Sequence, residues 1–267
     1  MDRYFRVFKF VGQVFGMAGR NPRLFAPLGL NVAFAVPINI ALVIAYMLTR
    51  ESLPAVAWVL NAAGVVALYY TDYFCNGLAA SMIYDEVTAG NATLGQGFRR
   101  TLRSAGGILI FATISGFFDL MASYAQERDD ILGKILIGIV RAVWTTATYV
   151  VMPTMVIEGV GFGAAFKRSK ELAENDPTGV GAGVIGMGLV TFLISLAGFG
   201  LAQFLFFTVG GVVGFLGLFT IVNVVWAVTG YLKITYFTCF YLWARECASR
   251  NAQDPRLAPA PLAAALA

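Results

Sequence analysis

Histidine is absent from all 267 residues. That removes the Ser–His and Cys–His nucleophile arrangements, histidine-held haem and the His-x-x-x-His zinc site in one step. Charge is scarce too. Asp, Glu, Lys and Arg make up 13% of the chain and hydrophobic residues 58%, against about 25% and about 45–50% in soluble domains. So much apolar surface needs lipid around it. Only three cysteines occur, Cys75, Cys239 and Cys247. They fall within or at the inner ends of apolar segments, away from any oxidising loop, and read as reduced packing residues. There is no Gly-x-x-x-x-Gly-Lys-Ser/Thr phosphate loop and no Gly-x-Gly-Asp stretch at Asp72 of the intramembrane aspartyl-protease kind. No catalytic residue, cofactor or metal site is assigned on these grounds, and the chain is not expected to be an enzyme.

What is present are long runs without any charge: Leu24 to Thr49, Ser52 to Thr71, and the 56 residues from Pro177 to Leu232. A spanning helix needs about 20 apolar residues, so the last run has room for two spans and a turn at Gly210-Gly211 with Gly214. The residues before Leu24 lack the apolar core of a secretory signal, being interrupted by Arg3, Arg6 and Lys9. Six spans are expected, at 24–48, 55–84, 105–122, 131–157, 180–207 and 215–244. The third is the shortest, since Asp119 ends its charge-free stretch. A re-entrant helix is the alternative there.

Lys and Arg gather on cytoplasmic flanks. With these spans, fourteen cations lie on one side: Arg3, Arg6, Lys9, Arg20, Arg23, Arg99, Arg100, Arg103, Lys167, Arg168, Lys170, Arg245, Arg250 and Arg256. Three, Arg50, Arg128 and Lys134, lie on the other. Both termini are therefore expected in the cytoplasm. The formal charge of +4 comes from these flanks, so nucleic acid is not an indicated partner. Residues 251–267, rich in Ala and Pro, read as a disordered cytoplasmic tail.

Two cytoplasmic segments match at an offset of 163 − 95 = 68: Gly95-Gln-Gly-Phe98-Arg99-Arg100-Thr101 and Gly163-Ala-Ala-Phe166-Lys167-Arg168-Ser169. The chain start has the same design without the motif, an apolar helical stripe of Tyr4, Phe5, Phe8, Val11 and Phe15 beside cations. The fold expected is thus all-α: a single transmembrane domain over 1–250, built as three repeats of an amphipathic interfacial helix plus a transmembrane hairpin. The units are about 1–86, 87–158 and 159–247. Arg99, Arg100, Lys167 and Arg168 would face anionic lipid head groups. A coincidence of short basic loops is the plainer reading of the motif.

Trp144, Pro153, Val156-Ile157-Glu158-Gly159 and Ala165-Phe166-Lys167-Arg168-Ser169 give a further pattern: a long helix, a proline, Glu-Gly and a basic amphipathic helix. In this the chain resembles a family of uncharacterised bacterial six-span proteins. That family is distantly similar to the membrane domain beside some glycerophosphodiester phosphodiesterases. The resemblance implies an all-helical protein of a bacterial inner membrane and no activity.

Within the spans, Asp72, Arg141 and Lys233 are the ionisable residues at depth. Asp72 lies about 18 Å above Tyr84 and Lys233 about 18 Å above Arg245 along their helices, so the two are level. Asn61, Tyr69 and Asn76 share a face with Asp72, and Lys134, Thr145 and Thr148 share one with Arg141. Such a cluster of Asp72, Asn76, Arg141, Thr145 and Lys233 is either a polar pathway or an ion pair locking helices together. Glu158 reads as an interfacial group, and Gly179/Gly183, Ala182/Gly186 and Gly198/Ala202 as close helix packing or a homo-oligomer contact. Three function classes remain open. One is a channel or transporter for a small solute, ion or lipid. Another is a scaffold holding lipid or a protein partner by its basic helices. The third, an intramembrane enzyme, has least in its favour.

Overall fold

The computed structural model describes residues 2–126, 133, 144, 150–175, 177–250 and 254–266, with side chains at 8–118, 120, 121, 133, 144, 150–172, 183–250, 254 and 256–263. Its helices in chain order are α1 (Asp2–Arg20), α2 (Ala26–Thr49), α3 (Pro54–Ala89), α4 (Leu94–Arg103), α5 (Ala105–Gln126), α6 (Phe162–Asn175), α7 (Pro177–Val209), α8 (Gly211–Arg250) and α9 (Ala260–Leu266). Residues 150–158 are helical as well, and the described residues include no strand.

Local chemistry sets the boundaries. Pro54 opens α3, where its missing N–H would have no partner anyway. Gly90 closes it in the left-handed region at φ 63°, donating its N–H to Glu86 O at 2.9 Å. The α7–α8 turn needs the same freedom at Gly210 and Gly211, with φ 64° and 55°. Here the glycine turn expected from the sequence is the turn observed.

Among the described residues, four helices are long and apolar enough to cross a membrane: Pro22–Thr49, Pro54–Ala89, Gly183–Val209 and Gly211–Arg250. A fifth is added if α4 and the start of α5, bent by 68° at their junction, are taken as one span. Many large apolar side chains on them are exposed, among them Phe34, Trp58, Phe192, Leu196, Phe204 and Phe207, which fits lipid contact and not water. Most of the segment expected as a fourth span, 131–157, lies outside the described residues.

The core is uneven along the helix axes. On α3 the residues from Cys75 to Ile83 are buried all round, and on α8 those from Ile234 to Trp243. The halves of α3 and α8 before these stretches show mixed exposure. α1 lies against α7 and α8 through Phe10, Val14, Met17 and Ala18, while Phe8 and Phe15 face outward. Phe10 meets Tyr236 edge-on at 5.2 Å. α1 is therefore apolar on two sides, one turned to protein and one away from it.

The expected disordered tail differs in the structure. After Arg250 the chain makes a 3-10 turn, Pro255–Leu257, and the helix α9, which packs on α1. Leu262 is 1% exposed, and Trp243 Nε1 donates to Asp254 O at 2.9 Å. Alanine favours helix, and here the helix has a surface of α1 to pack on. The buried thiols of Cys75, Cys239 and Cys247 are free.

α7 and α8 approach closely at small residues. A β-carbon at Gly198 would run into Val225, and one at Gly183 into the ring of Tyr236. At Gly214 it would sit 3.0 Å from the backbone oxygen of Phe206. Backbone yields less than a side-chain tip, so Gly214→Val is expected to loosen this hairpin by about 1–3 kcal/mol. A thermal unfolding midpoint in detergent no lower than that of the unmodified chain would contradict this close approach.

Candidate functional site

α2, α3 and α8 pack against one another in all three pairs and leave a cavity of about 320 Å³ between them. Each helix contributes a stripe at helical spacing. α2 gives Asn31, Ala35 and Asn39, α3 gives Val65, Leu68, Tyr69 and Asp72, and α8 gives Phe219, Val222, Asn223 and Trp226. The lining is mostly apolar with a few convergent polar groups, the general character of a small-molecule site.

At one end sits the Asp72 carboxylate. Asn31 Nδ2 donates to its Oδ1 at 2.8 Å, and Asn76 Nδ2, one turn along α3, donates to its Oδ2 at 3.1 Å. The indole of Trp226 is turned toward the same carboxylate, and Lys233 acts on it electrostatically. Gly230 lets α8 come this close: a β-carbon there would lie 3.4 Å from Asn76 Oδ1 and 3.8 Å from Asp72 Oδ1. At the other end Asn39 Nδ2 donates to Asn223 Oδ1 at 3.0 Å and to Ala35 O at 3.0 Å, while Asn223 Nδ2 donates to Phe219 O at 2.8 Å. The two ends are about 12 Å apart, from the eight residues between Asn31 and Asn39 at about 1.5 Å each. Trp226 is 55% exposed despite its inward-turned indole, so it stands at the edge of the cleft.

Among the residues expected to form a polar cluster, the structure gathers Asp72, Asn76 and Lys233. Arg141 and Thr145 lie outside the described residues, as do Lys134 and Thr148. Asn61, on the exposed outer part of α3, does not line the cavity. Sequence reasoning missed Asn31, Asn39, Asn223 and Trp226 by searching for charge. The legible signal was asparagine inside charge-free runs, eight residues apart on α2, because an amide in lipid needs a partner or a wet cavity.

The basic segments of α4 and α6 place their cations differently. Arg99 and Lys167 are exposed. Arg100 instead turns back onto α3, its Nη1 donating to Asp85 Oδ1 and Ser81 Oγ, both at 2.9 Å, with the guanidinium 5.1 Å above the Tyr84 ring. Arg168 approaches Glu158 at 3.9 Å and Glu171 at 3.7 Å. Glu158 also accepts the Tyr241 hydroxyl at 2.5 Å. Of the four cations Arg100 is the one partly buried against protein, while Arg99, Lys167 and Arg168 are exposed; one residue's step along a helix turns a side chain by about 100°.

A model of a family described as a family of unknown function (DUF6159) matches residues 59–249. The match holds Asp72, Asn76, Trp226 and Lys233 and begins after Asn31 and Asn39. The chain matches no curated protein and no solved structure.

Proposed function

The chain belongs to that family of unknown function, and we propose that it is a multi-pass membrane protein that admits a small solute, ion or lipid head group to the cleft at Asp72, as a channel or transporter. The cavity of about 320 Å³ carries this reading. It is the volume of about ten water molecules at about 30 Å³ each, whereas a purely structural ion pair would be packed dry. Polar groups at both ends mark a path along the membrane normal.

The orientation belongs to the same proposal: six spans in three units, both termini cytoplasmic, in a bacterial inner membrane. The motif segments support the repeat by burying the same positions, Gly97 with Ala165 and Thr101 with Ser169, while exposing Phe98 with Phe166. A second reading, a scaffold resting on anionic lipid, is favoured by α4 alone. Its apolar stripe Leu94, Phe98 and Leu102 is exposed beside Arg99 and Arg103.

Single cysteines in a background lacking the three native thiols test both points. A membrane-impermeant thiol reagent is expected to modify Asn39→Cys or Asn223→Cys and to miss Phe204→Cys on the lipid-facing side of α7. It should reach Glu51→Cys from outside and Gln96→Cys only from inside. Protection of both cleft positions from both sides would leave the scaffold reading ahead.

A further inference from the structure

The hydrogen-bonding state of the cleft identifies what it takes. Asn31 spends an amide N–H on a carboxylate, and Asn39 spends its amide on a backbone carbonyl and on Asn223 Oδ1. A carboxylate and a carbonyl only accept, so the partners fix which end of each amide faces where. Asn223, in turn, uses both ends, accepting from Asn39 and donating to Phe219 O. Both N–H groups of Asn39 and one each of Asn31 and Asn223 are thus committed to protein. The side-chain oxygens of Asn31 and Asn39 remain as acceptors, and so does the capacity of a carboxylate with about four lone-pair sites that receives Asn31 and Asn76. Aromatic rings of Trp226, Tyr69 and Phe219 supply the walls.

Acceptors, one negative charge and aromatic faces are the complement of a cation that donates hydrogen bonds. An anion would meet the carboxylate, and an apolar solute would leave the acceptors without partners. We propose that the Asp72 cleft binds a primary ammonium group on a short apolar body, its N–H groups shared between Asp72 and Asn31 and its apolar body lying toward Asn39. Lys233 does not line the cavity; it acts on the carboxylate from outside the lining and offsets its charge while no ligand is bound. The bound ammonium therefore competes with Lys233 for the same counter-charge, which keeps binding weak enough for release. The proposal rests on the cleft being open, as the reading above holds, and commits in addition to the sign and hydrogen-bonding class of the occupant. At about 320 Å³ the cavity is at the small end of the usual range for ligand sites, about 300–1,000 Å³, so a four-carbon amine is a fitting probe.

Titration of the full chain in nanodiscs with n-butylammonium, n-butanol and butyrate, followed by tryptophan fluorescence and by calorimetry, tests this. Saturable binding of n-butylammonium is expected, at least tenfold tighter than either isostere, with the fluorescence change lost in Trp226→Phe. Asn31→Leu is expected to weaken it several-fold. The double variant Asp72→Asn with Lys233→Met, which leaves no lone charge behind, should lose the preference for the cation. Lys233→Met alone should tighten binding several-fold. Equal binding of butanol, or an unchanged preference in the folded double variant, would overturn the ammonium assignment. If the cleft cysteines still react with the impermeant reagent, that failure falls on the ligand class and leaves the open cleft standing.

Discussion

Asp72→Asn is expected to cut the yield of folded protein severely, and adding Lys233→Met is expected to recover much of it. The single change removes the carboxylate that acts on Lys233, a counter-charge worth up to about 2.5–3.5 kcal/mol, the cost of a charge at membrane depth on insertion scales. It also sets an amide nitrogen against one of two amide donors, Asn31 or Asn76, which now donate to the carboxylate. At about 3 kcal/mol the folded-to-unfolded ratio falls roughly a hundredfold, since about 1.4 kcal/mol is tenfold in an equilibrium constant. The double variant removes the Lys233 charge together with the carboxylate and retains the amide mismatch. Detergent-extracted chain analysed by size exclusion, with its thermal midpoint, measures the effect. A single variant as stable as the unmodified chain, or a double variant no better than the single, would mean that the two charges do not depend on each other.

Neutralising Arg100 is expected to unfold what neutralising its neighbour Arg99 leaves intact. Asp85 is 10% exposed at its side chain, Arg100 28%. Asp85 Oδ2 is buried without a hydrogen-bond partner, so Arg100 on Oδ1 is the cation that makes the carboxylate tolerable there. Breaking a buried pair costs about 3–5 kcal/mol, because it strands the other charge. Partial exposure of Arg100 lets water return, which reduces the loss to roughly 2–4 kcal/mol. Arg100→Gln should therefore lower the thermal midpoint by several degrees, and Asp85→Asn added to it should restore part of the loss. Arg99→Gln should leave the midpoint unchanged and weaken only association with vesicles containing anionic lipid. Equal thermal effects from Arg99 and Arg100 would mean that both are topology signals and that the Asp85 contact is incidental.

Apolar span chemistry was legible in the sequence because it depends on composition over about 20 residues, whatever the neighbours are. The charge-free runs carry the four long apolar helices, the glycine turn at Gly210-Gly211 joins the last pair, and the basic motifs form the short helices α4 and α6. Asp72 and Lys233 stood out individually, since an ionisable residue in an apolar run is conspicuous by itself. Their joint membership of one electrostatic cluster required the packing of α3 against α8.

Long apolar segments, the basic flanks and the conspicuous charges within them were determined by the sequence alone. The choice of partners was not, because a partner is selected by which helices adjoin and at what rotation, and neither quantity is local. Only the tertiary structure set Asn31 of α2 against Asp72 of α3 and Asn39 against Asn223 of α8, turning scattered amides into the lining of a cleft. It alone sent Arg100 to Asp85 while Arg99 stayed exposed. It also seated the Ala-rich tail on α1, where an apolar surface gives that helix a face to bury, which the tail's own composition cannot supply.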